Sequence, residues 1–139
     1  MRFHTQCSTL NKIWGNAKDA LEASTLTIEV CQDYARVLPK PKDRLTLFRR
    51  VLQKSLKSEQ EFPSEWYSRI ISLCLEVLKL PQPPQCRITE LPKAFDKIKK
   101  AGSLEDAKTL CEQAINLGQK GLSATQTRID KALKKAPKN

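Results

Sequence analysis

Histidine and cysteine are the side chains most often used for catalysis and metal binding, and this chain of 139 residues carries few of them. His4 is the single histidine, and the five cysteines are far apart, at positions 7, 31, 74, 86 and 111. Since no two cysteines have the C-x-x-C spacing of a zinc site, we predict no metal site. An odd number of scattered cysteines does not suit a disulfide-stabilised secreted scaffold, and it favours a reducing compartment, the cytoplasm.

Other catalytic arrangements are equally sparse. A nucleophile requires a positioned base, and His4 lies close to the N-terminus. Glycine-rich loops that hold phosphates are absent, and the acidic pair Glu105 and Asp106 is explained by its position at the start of a helix. We therefore predict a protein that is not an enzyme and that uses no cofactor. No stretch resembles a secretory signal or approaches the roughly 18 apolar residues of a membrane span, so no membrane partner is predicted.

Basic residues are the most informative feature of the sequence. Lys and Arg number 25 against 15 Asp and Glu, which gives a formal net charge of +10. The excess is concentrated, because residues 40–57 carry a net charge of +6, residues 93–102 carry +3 and residues 120–139 carry +5. Such an excess favours polyanionic partners, and rows of lysine neutralise phosphates without reading base edges.

The candidate phosphate-binding residues come from these three basic segments. They are Lys40, Lys42, Arg44, Arg49, Arg50, Lys54 and Lys57; then Lys93, Lys97 and Lys100; and finally Lys120, Arg128, Lys131, Lys134, Lys135 and Lys138. At about 100° per residue, Arg50, Lys54 and Lys57 share one side of a helix. The third set falls within an arc of about 120° if the last helix is continuous.

An ordinary solvated helix face is the alternative interpretation of these rows. Solvated faces usually mix both signs of charge, whereas Asp130 is the only acid among the last twenty residues. Binding to a membrane surface is less favoured, because the most basic helix offers small apolar residues and no Trp or Phe to insert.

The elements that must position these residues are helical nearly throughout. Apolar residues recur at steps of three and four, and no alternating pattern of a strand is present. We predict an all-α protein with a single domain, residues 1–139, built as a bundle of four to five helices around one core. One long first helix is expected from Leu10 to Leu38, and a proline-rich connector is expected at residues 80–85.

Helix ends are predicted from capping residues and glycines. Asp43 and Ser64 are the expected N-caps of the second and third helices, and Gly102 is expected in the left-handed position that ends the fourth. Ser103 to Asp106 resembles a capping box. The last helix is expected to continue, with a kink, through Gly118 and Gly121.

The run Lys40-Pro-Lys-Asp-Arg-Leu-Thr-Leu-Phe-Arg-Arg50 and the lysine-rich last helix resemble the small subunit of CRISPR-Cas effector complexes, and among these the type I-D form. The resemblance implies a subunit without catalytic residues in a guide-RNA ribonucleoprotein. It also implies several stacked copies whose basic faces contact the guide–target heteroduplex or the displaced strand independently of sequence. Subunit contacts would then lie around Trp66 and Tyr67, which the sequence itself predicts to be core or interface residues.

A second resemblance suggests a different class of function. Leu47-Phe48-Arg49, with Phe62 downstream, resembles the Leu-Tyr-Arg motif of mitochondrial proteins that bind acyl-carrier protein. Phe48 replaces the tyrosine, and the motif follows a complete extra helix. This resemblance implies a helical adaptor for an acidic protein, which a basic face would also suit.

Overall fold

The computed structural model describes residues 3–36, 38, 40–58, 62–81, 83 and 85–135. At residues 3, 4, 6, 7, 20, 34 and 35 it describes the backbone alone. The described residues form seven helices. No strand occurs in these ranges. The helices are α1 (Phe3–Asn16), α2 (Ala20–Ala35), α3 (Pro41–Lys57), α4 (Ser64–Leu78), α5 (Leu91–Lys100), α6 (Leu104–Asn116) and α7 (Ser123–Lys135).

One hydrophobic core runs through all seven helices. The hairpin of α1 and α2 packs on α3, α4 lies between α3 and the pair α5 and α6, and α7 packs on α5 and α6. A single cluster of buried apolar side chains extends from Leu10 in α1 to Ile129 in α7. The predicted all-α fold is therefore confirmed, with more helices than the predicted four to five.

Two helices replace the long first helix that periodicity predicts, and the second ends at Ala35 instead of near Leu38. Residues 17–19 leave the helical conformation, and a reciprocal capping arrangement follows them. Asp19 Oδ1 accepts a hydrogen bond from Glu22 N at 2.8 Å, and Glu22 Oε2 accepts one from Lys18 N at 3.0 Å. These bonds satisfy amides that a new helix leaves unpaired, so the chain starts a second helix although its apolar phase continues.

The predicted continuous last helix is also wrong, because α6 ends before Gly118. Gly118 has a φ of +94°, and its N–H donates to Ile115 O at 3.0 Å. Gln119 N donates to Ala114 O at 3.0 Å, which completes a Schellman motif. The same motif ends α5 at Gly102, where φ is +90°, so the left-handed position predicted there is confirmed.

The predicted N-caps are placed differently by the structure. Asp43 lies in the first turn of α3, which begins two residues earlier, and Ser64 is the first residue of α4. Ser103 does occupy the N-cap of α6, but its hydroxyl makes no capping bond. It forms a hydrogen bond of 2.7 Å with the Ser64 hydroxyl instead, so the two serines join the starts of α4 and α6.

The segment between α4 and α5 is held by one buried glutamine. The described residues of the proline-rich connector lie outside any helix, as predicted, while positions 82 and 84 are outside the described residues. Gln119 is 7% exposed, and its Oε1 accepts a hydrogen bond from Ile88 N at 2.7 Å. Its Nε2 donates to Cys86 O at 2.9 Å. We call this pair of bonds the Gln119 clamp.

Three aromatic side chains pack together where α4 begins. The ring centroids of Trp66 and Tyr67 are 5.0 Å apart in an edge-to-face arrangement, and that of Phe62 is 5.3 Å from the Trp66 ring. Trp66 and Tyr67 are 7% and 2% exposed. They are therefore core residues, which is one of the two roles that the sequence predicts, and the subunit contacts expected around them stay a prediction.

Candidate nucleic-acid interface

Helix α7 presents a basic side to solvent. Ile129 and Thr125 are buried against the rest of the bundle. The cations lie on the opposite side, within an arc of about 120°; Arg128, Lys131, Lys134 and Lys135 are all exposed. Lysines at these positions also suit the helix, since positive charge near the C-terminal end interacts favourably with its dipole.

Helix α5 carries a second, shorter basic row. Ala94, Phe95 and Ile98 are completely buried, which leaves the remaining side of the helix for solvent. Lys93, Lys97 and Lys100 lie within about 60° of one another on that side. Lys93 and Lys100 are exposed, and Lys97 is half-buried.

An ion pair joins the two rows. Arg128 Nη2 of α7 lies 3.4 Å from Asp96 Oδ1 of α5, with both side chains nearly half exposed. A pair in this setting is weak, because water screens it. The cations of α5 and α7 thus lie on two packed helices that this pair links. We call them together the α5–α7 basic surface; its members are Lys93, Lys97, Lys100, Arg128, Lys131, Lys134 and Lys135.

Asp130, the one carboxylate within α7, lies at the edge of this surface. Burial, followed by the charges of Asp130 and Glu112, raises the pKa of the Cys111 thiol in α6 to about 11. The charge of Asp130 therefore acts toward α6. Lys131, Lys134 and Lys135 make no ion pair with any side chain that the structure describes.

Helix α3 presents a third row on a separate side of the bundle. Lys42, Arg50 and Lys57 are exposed and lie within about 80° of one another. Lys40 is exposed directly before the helix. Because α3 packs mainly between α2 and α4, we treat this row as distinct from the α5–α7 basic surface.

Arg49 was predicted to bind phosphate, and the structure assigns it to a half-buried ion pair. Its Nε lies 2.7 Å from Glu90 Oε1, and its Nη2 lies 3.1 Å from Glu90 Oε2. Burial raises the pKa of Glu90, but the hydrogen bonds from Arg49 and Thr89 outweigh it, so that pKa is lowered. The bond with Glu90 raises the pKa of Arg49. Spacing along α3 could not reveal this pair, because the carboxylate lies 41 residues away in the chain. Phosphate binding by Arg49 stays a prediction.

Three other predicted residues are only partly available to a ligand, or lie off the rows. Arg44 Nε donates to Leu38 O at 2.7 Å, and Lys54 Nζ lies 5.8 Å from the centroid of the Trp14 ring. Lys120 is exposed but precedes α7, so it lies outside the helical arc in which we predicted it. Lys138 is outside the described residues.

Sequence reasoning missed one cation, Arg87. It is exposed on the chain leading into α5, and a Cβ at Gly121 would collide with its guanidinium, so Arg87 lies directly over that glycine. Lys120 is adjacent to Gly121, and both cations line a groove of about 470 Å³ with Leu78, Pro83 and Leu117. We call it the connector groove. Residues 58–92, which contain Arg87, carry a net negative charge. A search for basic segments therefore does not find this residue.

The motif of the second resemblance serves the fold. Leu47 and Phe48 are 0% and 2% exposed, and Arg49 pairs with Glu90. Phe62 is 6% exposed. The motif therefore presents little surface to a carrier protein.

The described residues contain neither a metal-binding cluster nor a helix able to span a membrane. Within the described ranges, no three His, Cys, Asp or Glu side chains are grouped so as to hold a metal ion. None of the helices described has both the length and the apolar character needed to cross a bilayer. Comparisons with protein-family models, curated proteins and solved structures returned no match.

Proposed function

We propose that the protein is a non-catalytic binder of nucleic-acid backbones and that the α5–α7 basic surface is its contact. The observation that carries the proposal is the junction of two basic rows on packed helices, which a weak ion pair between Arg128 and Asp96 links. Phosphate can replace Asp96 as the partner of Arg128 at little cost, because the exposed pair contributes about 1 kcal/mol or less.

The same surface favours binding without sequence preference. Arg128, Lys131 and Lys134 follow one another at about 4.5 Å along the axis of α7, and six of the seven members of the surface are lysines. A lysine ammonium interacts with phosphate as a point charge and lacks the planar fork that reads guanine. Two unrelated oligonucleotides of equal length should therefore bind with similar affinity.

A finer form of the proposal follows from the resemblance to CRISPR-Cas small subunits. It assigns the protein to a cytoplasmic, guide-RNA-dependent complex with several copies and large Cas proteins as partners. Copurification from the native host tests this assignment. Guide RNA and large Cas proteins in the eluate would support it, whereas a small acidic carrier protein would support the adaptor alternative.

Charge reversal on α7 tests the contact itself. The variant Lys131→Glu/Lys134→Glu/Lys135→Glu should lose about tenfold or more in affinity at moderate salt, measured by fluorescence anisotropy, since three phosphate contacts become repulsive. All three side chains are exposed, so circular dichroism should show unchanged helix content.

The matched control places the same charge change on the α1–α2 end of the molecule. Lys12, Lys18 and Arg36 are exposed there, and their reversal to Glu should reduce affinity by less than about threefold, through the long-range field only. Equal losses in both variants would show that net charge, and not the α5–α7 basic surface, governs binding.

A further inference from the structure

The connector groove differs in its charge from two other clefts of the protein. Arg87 and Lys120 line it, and among the described residues no carboxylate does. A cleft of about 340 Å³ beside α2, α3 and α4 has Arg36 and Arg44 but also Glu76. The cleft between α1 and α2, about 280 Å³, combines Lys12 with Glu22. The connector groove is thus suited to an anion.

The groove also has an apolar wall and a size that a small organic ligand fills. Leu78, Pro83 and Leu117 form that wall. Its volume of about 470 Å³ lies within the range of small-molecule sites. Inorganic phosphate would leave this wall uncovered, so the groove fits a ligand with both an anionic and an apolar part.

The backbone that carries Arg87 is fixed in place. The Gln119 clamp holds Cys86 and Ile88 on either side of Arg87. Gly121 leaves room for the guanidinium, because a Cβ there would collide with its Nη2. The backbone at this cation therefore needs little ordering when a ligand binds.

We propose that the connector groove holds one nucleotide of a single strand, with its phosphate between Arg87 and Lys120 and its base against Leu78, Pro83 and Leu117. The inference rests on the proposed function and adds a strand preference to it. Bases of a duplex stay stacked, whereas an unstacked base of a single strand can cover an apolar wall. The groove adjoins the start of α7, and Arg128 lies only about 7.5 Å further along that helix.

Three probes of equal length distinguish the contribution of the base to affinity from that of the phosphates. They are a single strand of twelve nucleotides, its duplex, and an abasic strand with the same phosphates. The variant Arg87→Gln/Lys120→Gln should lose about tenfold in affinity for the single strand and at most about twofold for the other two probes. Wild-type protein should bind the single strand at least about fivefold more tightly than the abasic strand. The control Lys12→Gln/Lys18→Gln, which removes the same charge, should change none of these affinities by more than about twofold.

A second variant keeps both cations and blocks the groove. Pro83→Glu places a carboxylate at an exposed position of the wall, so folding should be unaffected and the loss should again be confined to the single strand. Equal binding of single and abasic strands by wild-type protein, or equal losses on all probes, would overturn the inference and leave the proposed function standing. Absence of binding to every probe would overturn both.

Discussion

Arg49 and Glu90 show how a cation on a basic segment can belong to the fold. Two parallel hydrogen bonds link α3 to the residue that precedes α5, and the side chains are 25% and 10% exposed. Bidentate geometry strengthens such a pair. Removing one partner leaves the other charge partly desolvated, which costs more than the pair contributes.

We expect Glu90→Gln to lower the free energy of unfolding by about 2 kcal/mol at neutral pH. This loss is smaller than that expected on breaking a fully buried ion pair, because Arg49 keeps contact with water. The pKa of Glu90 is lowered in the folded state. Its stabilising contribution is therefore complete above the usual carboxyl pKa of about 4.3 and is lost as the pH falls through the lowered folded value.

Urea unfolding between neutral pH and pH 3 checks this prediction. Wild-type stability should fall more steeply below about pH 4.3 than that of Glu90→Gln. The control Glu29→Gln alters an exposed carboxylate in the middle of α2 and should retain the wild-type acid dependence. Identical acid dependence in Glu90→Gln and wild type would contradict the lowered pKa.

Spacing predicted where some cations lie and could not predict what others contact. Lys131, Lys134 and Lys135 are exposed opposite Ile129, as 100° per residue requires. Arg49 and Arg87 depend on contacts from distant segments, with Glu90 and Gly121 respectively. A charge pattern along one helix contains no information about such partners.

At the level of elements, apolar periodicity predicted helices correctly but passed over two breaks. Leu10, Ile13, Ala17 and Leu21 keep the helical phase across residues 17–19, because both helices bury their stripes in the same core. The local signal was the pair Asp19 and Glu22, spaced as in a capping box. Between α6 and α7 the signal was Gly118, whose positive φ a continuous helix does not allow.

The cap at the start of α2 can be tested directly. Asp19→Ala removes the acceptor of Glu22 N and should lower the free energy of unfolding by about 1 kcal/mol. Asp33→Ala removes an exposed carboxylate near the C-terminal end of the same helix, where negative charge is unfavourable. That control should be neutral or slightly stabilising in thermal unfolding, and an equal loss in both variants would contradict the capping role of Asp19.

At the level of the whole molecule, α2 is an acidic helix that lies away from the α5–α7 basic surface. Helix α2 contains no Lys or Arg, and its acids Glu22, Glu29 and Asp33 are exposed. It packs on α1 and α3, whereas the α5–α7 basic surface lies on helices that α2 does not pack against. A polyanion should therefore approach the molecule from the α5–α7 side.

The salt dependence of binding should report this arrangement. Each phosphate that a cation neutralises contributes about 0.7 to 0.9 to the slope of log affinity against log salt concentration. Lys131→Gln/Lys134→Gln/Lys135→Gln should make the slope shallower by about 2 to 3. Lys12→Gln/Lys18→Gln/Arg36→Gln should leave it unchanged, and a change of the same size in that control would show that the contact lies elsewhere.

The Gln119 clamp also sets an order for events during synthesis on the ribosome. Ile88 emerges 31 residues before the side chain that pairs with its N–H. Since translation proceeds from the N-terminus, the nascent segment around Cys86 must wait for all of α6 and its terminal turn before it gains these hydrogen bonds. The middle of the chain is thus fixed only after 119 of the 139 residues have been made.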